Sequence, residues 1–322
     1  MVSLLTVDEW RKRRAAAQER LSLLLQRNGA AVEAYMAVYG LTLKPDRVAR
    51  IAQQMGQAEK DPVYEIQAVC PVCQDSRPYK SHMVRLESQR LETNDYMVPV
   101  AAEGVKGYWP CNPITYQVHV CPWCGYATAD RDELLAPDTR KAKKPMRCSA
   151  VVMQQLCAGA TARVAITGDH DIQALFGRPR DLEVALLAFR MAIESERPRA
   201  EAELGRAHFR MANYTLRIAA ISEVAHVGEG APGNVDSLCR QALGYLETEY
   251  SLDGSDDLAA PISYLVLALA IRLKDDVRAS QYHQILEQTA RRSEGTVEGR
   301  QFEKWRNRAK ELWENWREQR RG

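Results

Sequence analysis

The sequence predicts a mainly α-helical chain interrupted once by a small β module, and three observations carry that expectation. Apolar residues recur at three-four spacing before and after the module, the period of an amphipathic helix. Within it Tyr64, Ile66 and Ala68 alternate with Glu65 and Gln67, and Tyr116, Val118 and Val120 with Gln117 and His119, the two-residue period of half-buried strands. Each alternating run leads into a Cys-x-x-Cys pair, "CPVC" at 70–73 and "CPWC" at 121–124. The chain therefore divides into a helical N-terminal extension over 1–61, a β module over 62–135 and an α-helical domain over 136–322.

With 322 residues, 46% hydrophobic and 27% charged, the composition is that of a folded chain and not of a disordered one. Acid and base nearly cancel at a formal +2, so any attraction to nucleic acid or membrane has to be local. The opening "MVSLLTVDEWRKRR" places its positive charge after a very short apolar run, the reverse of a secretory signal. The most apolar later stretch, "APISYLVLALAIRL", is shorter than the roughly 20 residues of a membrane helix and reads as a buried one. A cytoplasmic chain with no membrane partner is expected, in which the eight cysteines are metal ligands or core fillers and not a disulfide framework.

In the extension, Thr6 and Glu9 form a capping box that opens a helix running to "RNG" at 27–29. A second helix covers about 30–39, and Pro45 suits the first turn of a third, "PDRVARIAQQM". The plain reading is a helical lead-in packed on the next part of the chain; the sharper one, a helix-turn-helix, rests on weak sequence signals.

Two Cys-x-x-Cys turns, each approached from a strand, can direct four sulfurs to one ion at about 2.3 Å, so Cys70, Cys73, Cys121 and Cys124 are the expected metal ligands. Four protein ligands leave no open position, which makes the site structural; Zn2+ is the expected ion, and iron in the same geometry is the alternative. Gly125 follows the second pair, where positive φ is commonly needed. The 47 residues between Cys73 and Cys121 exceed the usual ribbon spacing, so this zinc-ribbon-like module carries an insertion with one or two further strands and an extended loop.

In that insertion Arg77, Lys80, Arg85, Arg90 and Lys106 are balanced by Asp75, Glu87, Glu92, Asp95 and Glu103, whereas binding phosphates requires an uncompensated basic face. The local positive excess lies in "RKAKKPMR" at 140–147, which reads as a solvated linker. Cys111 is a candidate substitute ligand or reactive thiol, and His82 and His119, which could join a metal site, read as solvent-facing strand residues. Asp169, His170 and Asp171 in "GDHD" read as a plain loop after the strand-like "ARVAIT". No nucleophile motif, phosphate loop or metalloprotease helix is present, so no catalytic residue is assigned and the chain is expected not to be an enzyme.

Beyond Asp130 the helical period returns. Expected helices are 182–196, 200–224, 235–250, 260–274, 277–292 and 299–319, with "GDHDIQALFGRPRD" as an exposed connection. Val235, Leu238, Cys239, Ala242, Leu243 and Leu246 share one face, which makes Cys239 a core residue. Ala185, Phe189, Ala192 and Pro198, echoed by Ala279, Tyr282 and Leu286, approximate the small and aromatic offsets of tetratricopeptide repeats, without a clean 34-residue period. The C-terminal half is therefore expected to be a tetratricopeptide-like array of irregular helix pairs. Phe302, Trp305, Ala309, Leu312, Trp313 and Trp316 form a stripe that would close its end.

The run "NPITYQVHVCPWCGYA", with the earlier "CPVC" and the later "RDLEVALLAFRMAI", "AELGRAHFRMANYTLR" and "YLVLALAIRLKDDVRASQYHQIL", resembles the bacterial family catalogued as domain of unknown function 2225, over about residues 65–290. The resemblance implies a bacterial cytosolic protein that joins a zinc-ribbon-like module to tetratricopeptide-like helices, and it supplies no reaction or substrate. The chain departs from the family in Gln74, where the first knuckle often has Gly, and in its helical start before residue 60. The expected function is that of a scaffold or adaptor whose helical surface receives a protein partner; a zinc-ribbon nucleic-acid binder is the alternative.

Overall fold

The computed structural model describes residues 60–73, 77–104, 107–108, 111–134, 148–178, 180–202, 205–224, 232–252, 256–292 and 297–320. The helices expected before residue 60 and the basic stretch at 140–147 lie outside the described residues. Those described are mostly helical, with three small two-stranded sheets near the cysteines.

Strand β1 (Val63–Ala68) pairs antiparallel with β2 (Tyr79–Val84), Ala68 lying opposite Tyr79, so the first Cys-x-x-Cys turn falls in their connection. β3 (Gln89–Thr93) and β4 (Pro99–Gly104) form a second hairpin. In its turn the Asn94 side chain accepts the amides of Tyr96 and Val98, and Met97 takes a φ of 60°. β5 (His119–Val120) and β6 (Ala127–Thr128) form the third, with the second Cys-x-x-Cys pair as its turn. The insertion thus holds three strands before β5, one more than expected. The strand expected over 116–120 shrinks to two residues because Pro113–Tyr116 is a 3₁₀ turn. Asn112 caps that turn by accepting the Ile114 amide, and Pro113 presets its φ.

Nine α-helices come next among the described residues. The first three are α1 (Ala150–Ala158), α2 (Ala160–Ala165) and α3 (Ile172–Leu175). After them stand α4 (Leu182–Glu201), α5 (Ala207–Val224) and α6 (Pro232–Ser251). The series ends with α7 (Asp256–Arg272), α8 (Asp276–Arg292) and α9 (Val297–Gln319). "ARVAIT" is helical, not a strand, because its one charged residue, Arg163, turns inward to carbonyls that a strand would not present. The helix expected from residue 200 is divided: α4 runs through Pro198 to Glu201, and the chain reverses near Arg206, where φ is 67°. The expected exposed connection at 168–181 is instead packed, with Ile172, Leu175, Phe176 and Arg180 buried.

Ion pairs and ring contacts fix the helix directions. Glu196–Arg210 and Phe189–Tyr214 run α4 against α5, Arg272–Asp236 runs α7 against α6, and Arg320, just past α9, pairs with Asp276 at the start of α8. Consecutive helices from α4 onward are therefore antiparallel neighbours. Helix α7 packs against α6, α8 and α9, which is why every residue from Ile262 to Ala270 is buried. Phe302, Trp305, Leu312 and Trp313 of α9 lie half-buried against the same core, Trp305 meeting Tyr264 at 5.3 Å between ring centres. Among the described residues no helix is long and apolar enough to cross a membrane. The core does not stop at the β module: Val98, Ile114, Val118, Val120 and Ala127 share it with Phe189, Met191 and the helices beyond.

The join between α5 and α6 rests on one carboxylate. Glu249, 2% exposed near the end of α6, accepts the Arg206 amide at 3.0 Å and the Phe209 amide at 3.1 Å, capping α5 from a neighbouring helix. Removing it leaves two amide donors unsatisfied. Glu249→Ala is expected to cost about 2–3 kcal/mol, and Glu249→Gln, which keeps an acceptor, less than half of that, as read from urea-denaturation midpoints.

Candidate metal centre

Both Cys-x-x-Cys turns are held by backbone hydrogen bonds. In the second, the Cys121 amide donates to Tyr126 O at 2.8 Å, closing the β5–β6 hairpin, and the Gly125 amide donates to Cys121 O at 3.1 Å. In the first, the Val72 amide donates to Cys70 Sγ at 3.4 Å, and the Val69 amide to Leu134 O at 2.8 Å. These turns bring all four expected sulfurs to within 4.8 Å of one another. Cys70 Sγ lies 3.6 Å from Cys124 Sγ, and Cys73 Sγ 3.8 Å from Cys121 Sγ. A tetrahedron with metal–sulfur bonds of about 2.3 Å has edges of about 3.8 Å, so the donors fit one tetrahedral ion.

Electrostatics point the same way. Hydrogen bonds from Cys121 and Cys70, with help from the Tyr126 amide and the Arg163 charge, hold the Cys124 thiol down to about 2. Hydrogen bonds to Cys124 and Cys70, then burial, push the Cys121 thiol up. These hydrogen bonds favour the charge at Cys124 over Cys121, and the crowded donor set makes a candidate site for a cation. Cys70, Cys121 and Cys124 are buried, and only Cys73 reaches partway to solvent.

The centre is set in its own apolar cluster of Ala68, Val72, Tyr79, Tyr126, Leu134, Val152 and Leu156, the last two from α1. Tyr79 packs edge-on to Trp123 at 5.6 Å, and the Arg77 guanidinium lies 5.0 Å from the Trp123 ring centre. Arg163, 1% exposed, donates to Cys124 O at 3.2 Å and to Leu156 O at 2.8 Å, joining the second turn to the end of α1. Gly125 has a φ of 66°, and a Cβ placed there would lie 2.9 Å from Met191 Cε and 3.1 Å from Arg163 Cβ. Only glycine suits both conditions.

The hairpin is also fastened to the long helices. Ser195 Oγ accepts the Ala127 amide at 3.0 Å, and Tyr214 Oη accepts the Ala129 amide at 3.2 Å. The Tyr126 hydroxyl donates to Glu133 at 2.7 Å and accepts from Arg199 at 2.8 Å, while Arg199 also pairs with buried Glu196 at 3.0 Å. Burial raises the Glu196 pKa against the pull of Arg199 and Arg210. Sequence reasoning missed Arg163, Glu196 and Arg199. A signal existed for the last two: Glu196 and Arg199 continue the apolar stripe of Ala185, Ala188, Phe189 and Ala192, where a charged residue must have a buried partner.

The remaining candidates fall elsewhere. Cys111 is half-buried and outside the sulfur group. His82 and His119 are buried, contrary to the solvent-facing expectation. His119 Nδ1 shares a 2.8 Å hydrogen bond with Ser81 Oγ, and burial, then the Arg180 charge, depress its pKa to about 3, so the imidazole is neutral. The two-residue alternation misled because this short strand is packed on by β2, whose Ser81 meets His119, and by α4. Asp171 caps α3 by accepting the Gln173 amide, Asp169 is exposed and Gly168 has a φ of 61°, so the three residues form a helix-capping turn.

A mostly helical protein with small sheets around four clustered cysteines is the class these features define. The family model described as an uncharacterized protein conserved in bacteria (DUF2225) matches residues 63–316, and the chain belongs to that family. Neither the curated proteins nor the solved structures gave a match. Since Gly125 meets both a backbone and a steric condition, Gly125→Ala is expected to destabilise the protein by about 2–4 kcal/mol, measured by chemical denaturation at fixed metal content.

Proposed function

We infer that Cys70, Cys73, Cys121 and Cys124 hold one structural zinc ion and that the chain is a non-enzymatic cytoplasmic scaffold whose helical array receives a protein partner. The observation that carries this reading is the closure of the sulfur group: four protein donors at tetrahedral spacing, three of them buried, leave no position for water or substrate. Bound zinc would neutralise the thiolates and tie the β1–β2 connection to the β5–β6 turn. The chain's own residues do the rest: Arg163 braces the second turn against α1, and the Arg199–Glu196–Tyr126 network braces it against α4.

The tetratricopeptide-like reading is supported by antiparallel neighbours α4/α5, α6/α7 and α8/α9 and by the burial of Ala185, Phe189, Ala192, Ala279, Tyr282 and Leu286. Arrays of this kind offer an extended surface to a protein segment.

Metal analysis of the purified protein is expected to return one zinc per chain. Stripping it with a strong chelator, or Cys70→Ser, is expected to lower Tm by about 10 °C, from the loss of a few kcal/mol of metal-linked folding energy. Iron at the same stoichiometry would replace zinc in this reading, and no bound metal would end it. For the scaffold, cross-linking in cells followed by nuclease treatment is expected to leave a stoichiometric protein partner; recovery of nucleic acid alone, released by salt, would favour the nucleic-acid alternative.

A further inference from the structure

A fifth cysteine sits on the metal centre without belonging to it. Cys157 lies in the last turn of α1, is exposed, and its thiol donates to the Val72 carbonyl at 3.2 Å. Val72 lies inside the first Cys-x-x-Cys turn, and its carbonyl carbon is bonded to the Cys73 amide nitrogen. Covalent geometry therefore places the Cys157 sulfur within about 6 Å of the Cys73 Cα. Cys73 is also the one ligand of the four that reaches solvent. An accessible thiol is thus parked beside the accessible ligand, while the other three sulfurs are buried behind them.

We propose that Cys157 is an oxidation site, and that a peroxide acting on it yields a Cys73–Cys157 disulfide that removes one ligand from the metal centre. This rests on the metal reading of the four cysteines given above. The chemistry balances in two steps. The Cys157 sulfur attacks hydrogen peroxide, the O–O bond breaks, one oxygen stays on sulfur as sulfenic acid and the other leaves as water; the thiol is oxidised and the peroxide reduced by two electrons. The Cys73 sulfur then attacks the sulfenic sulfur, the S–O bond breaks, and the departing hydroxide takes up a proton as a second water. Two thiols and one peroxide become one disulfide and two waters, and three cysteines are left where a closed site needs four.

A disulfide requires Cα atoms about 4.4–6.8 Å apart, so the bond forms by rotation of the Cys157 side chain off Val72 O and of the Cys73 side chain away from Cys121, with movement of the α1 end. That end abuts Gly159, at the joint with α2; Gln154, Gln155 and Ala158 around it are exposed, while buried Leu156, its carbonyl held by Arg163, anchors it. Cys148, half-buried against the same apolar cluster, precedes the other end of α1 and is the natural comparison.

The test treats the purified full-length protein with hydrogen peroxide, follows zinc release with a chromogenic chelator, and maps disulfides by non-reducing peptide mass spectrometry. Expected are a Cys73–Cys157 linkage appearing in step with zinc release, reversal by a dithiol with added zinc, and release slowed about tenfold or more in Cys157→Ser but not in Cys148→Ser. Release from Cys157→Ser at the wild-type rate, or linkages confined to the four ligands or involving Cys148, would overturn the proposal. Protein isolated without metal would remove the zinc reading, and the peptide map would still decide for or against the Cys73–Cys157 bond.

Discussion

Four thiols within 4.8 Å of one another, three of them buried, are an arrangement that the protein's own groups do not balance. Thiols so crowded in a low-dielectric setting do not all ionise together, and their mutual hydrogen bonds favour the thiolate at Cys124 and the thiol at Cys121. A divalent cation at this site would turn that crowding into bonds and fix where two chain segments some fifty residues apart meet. The sheets of the β module are too small to hold it by themselves. Its three sheets are two-stranded, one of them two residues long, and hairpins of this size are marginal in water unless something else packs on them. Here the packing comes from α1 on one side and α4 with α5 on the other.

The clustering of the four cysteines, the β1 strand and the long helices were legible because each rests on a local rule. Two Cys-x-x-Cys pairs at strand ends announce a ligand set without any knowledge of the fold. Three-four periodicity placed α6 through α9 to within a few residues, since amphipathic helices on one core repeat that pattern along their length. The helical stripe that buries Cys239 was legible in the same way.

The features that escaped the sequence depend on contacts distant along the chain. Arg163 looked like a strand residue in "ARVAIT" because its acceptors, Cys124 O and Leu156 O, belong to a turn and a helix end that the local pattern cannot show. His119 looked solvent-facing by alternation and is buried, since a two-residue strand packed on by β2 and α4 has no open face. Phe176 and Arg180 looked like a connection. Arg180 is instead buried, donating to Phe176 O and to Val118 O at 2.8 Å, so its charge is met by carbonyl oxygens and by the Tyr116 ring. In each case a polar residue was given a surface place that tertiary partners made unnecessary.

Helix α4 shows how the metal centre and the helical array become one object. Met191, Ser195 and Arg199 stand four residues apart, on one stripe of that helix. Met191 closes over Gly125, Ser195 takes the Ala127 amide and Arg199 takes the Tyr126 hydroxyl, so successive turns of the helix meet the three residues just after Cys124. The opposite edge of the same helix packs along α5 through Phe189 and Glu196. A shift of the second Cys-x-x-Cys turn by even an ångström would have to displace a buried methionine, an amide hydrogen bond and a buried ion-paired arginine together, and close-packed interiors resist such concerted motion. The position of the sulfurs is therefore written into the first long helix of the array, and the array's first helix is seated by the sulfurs.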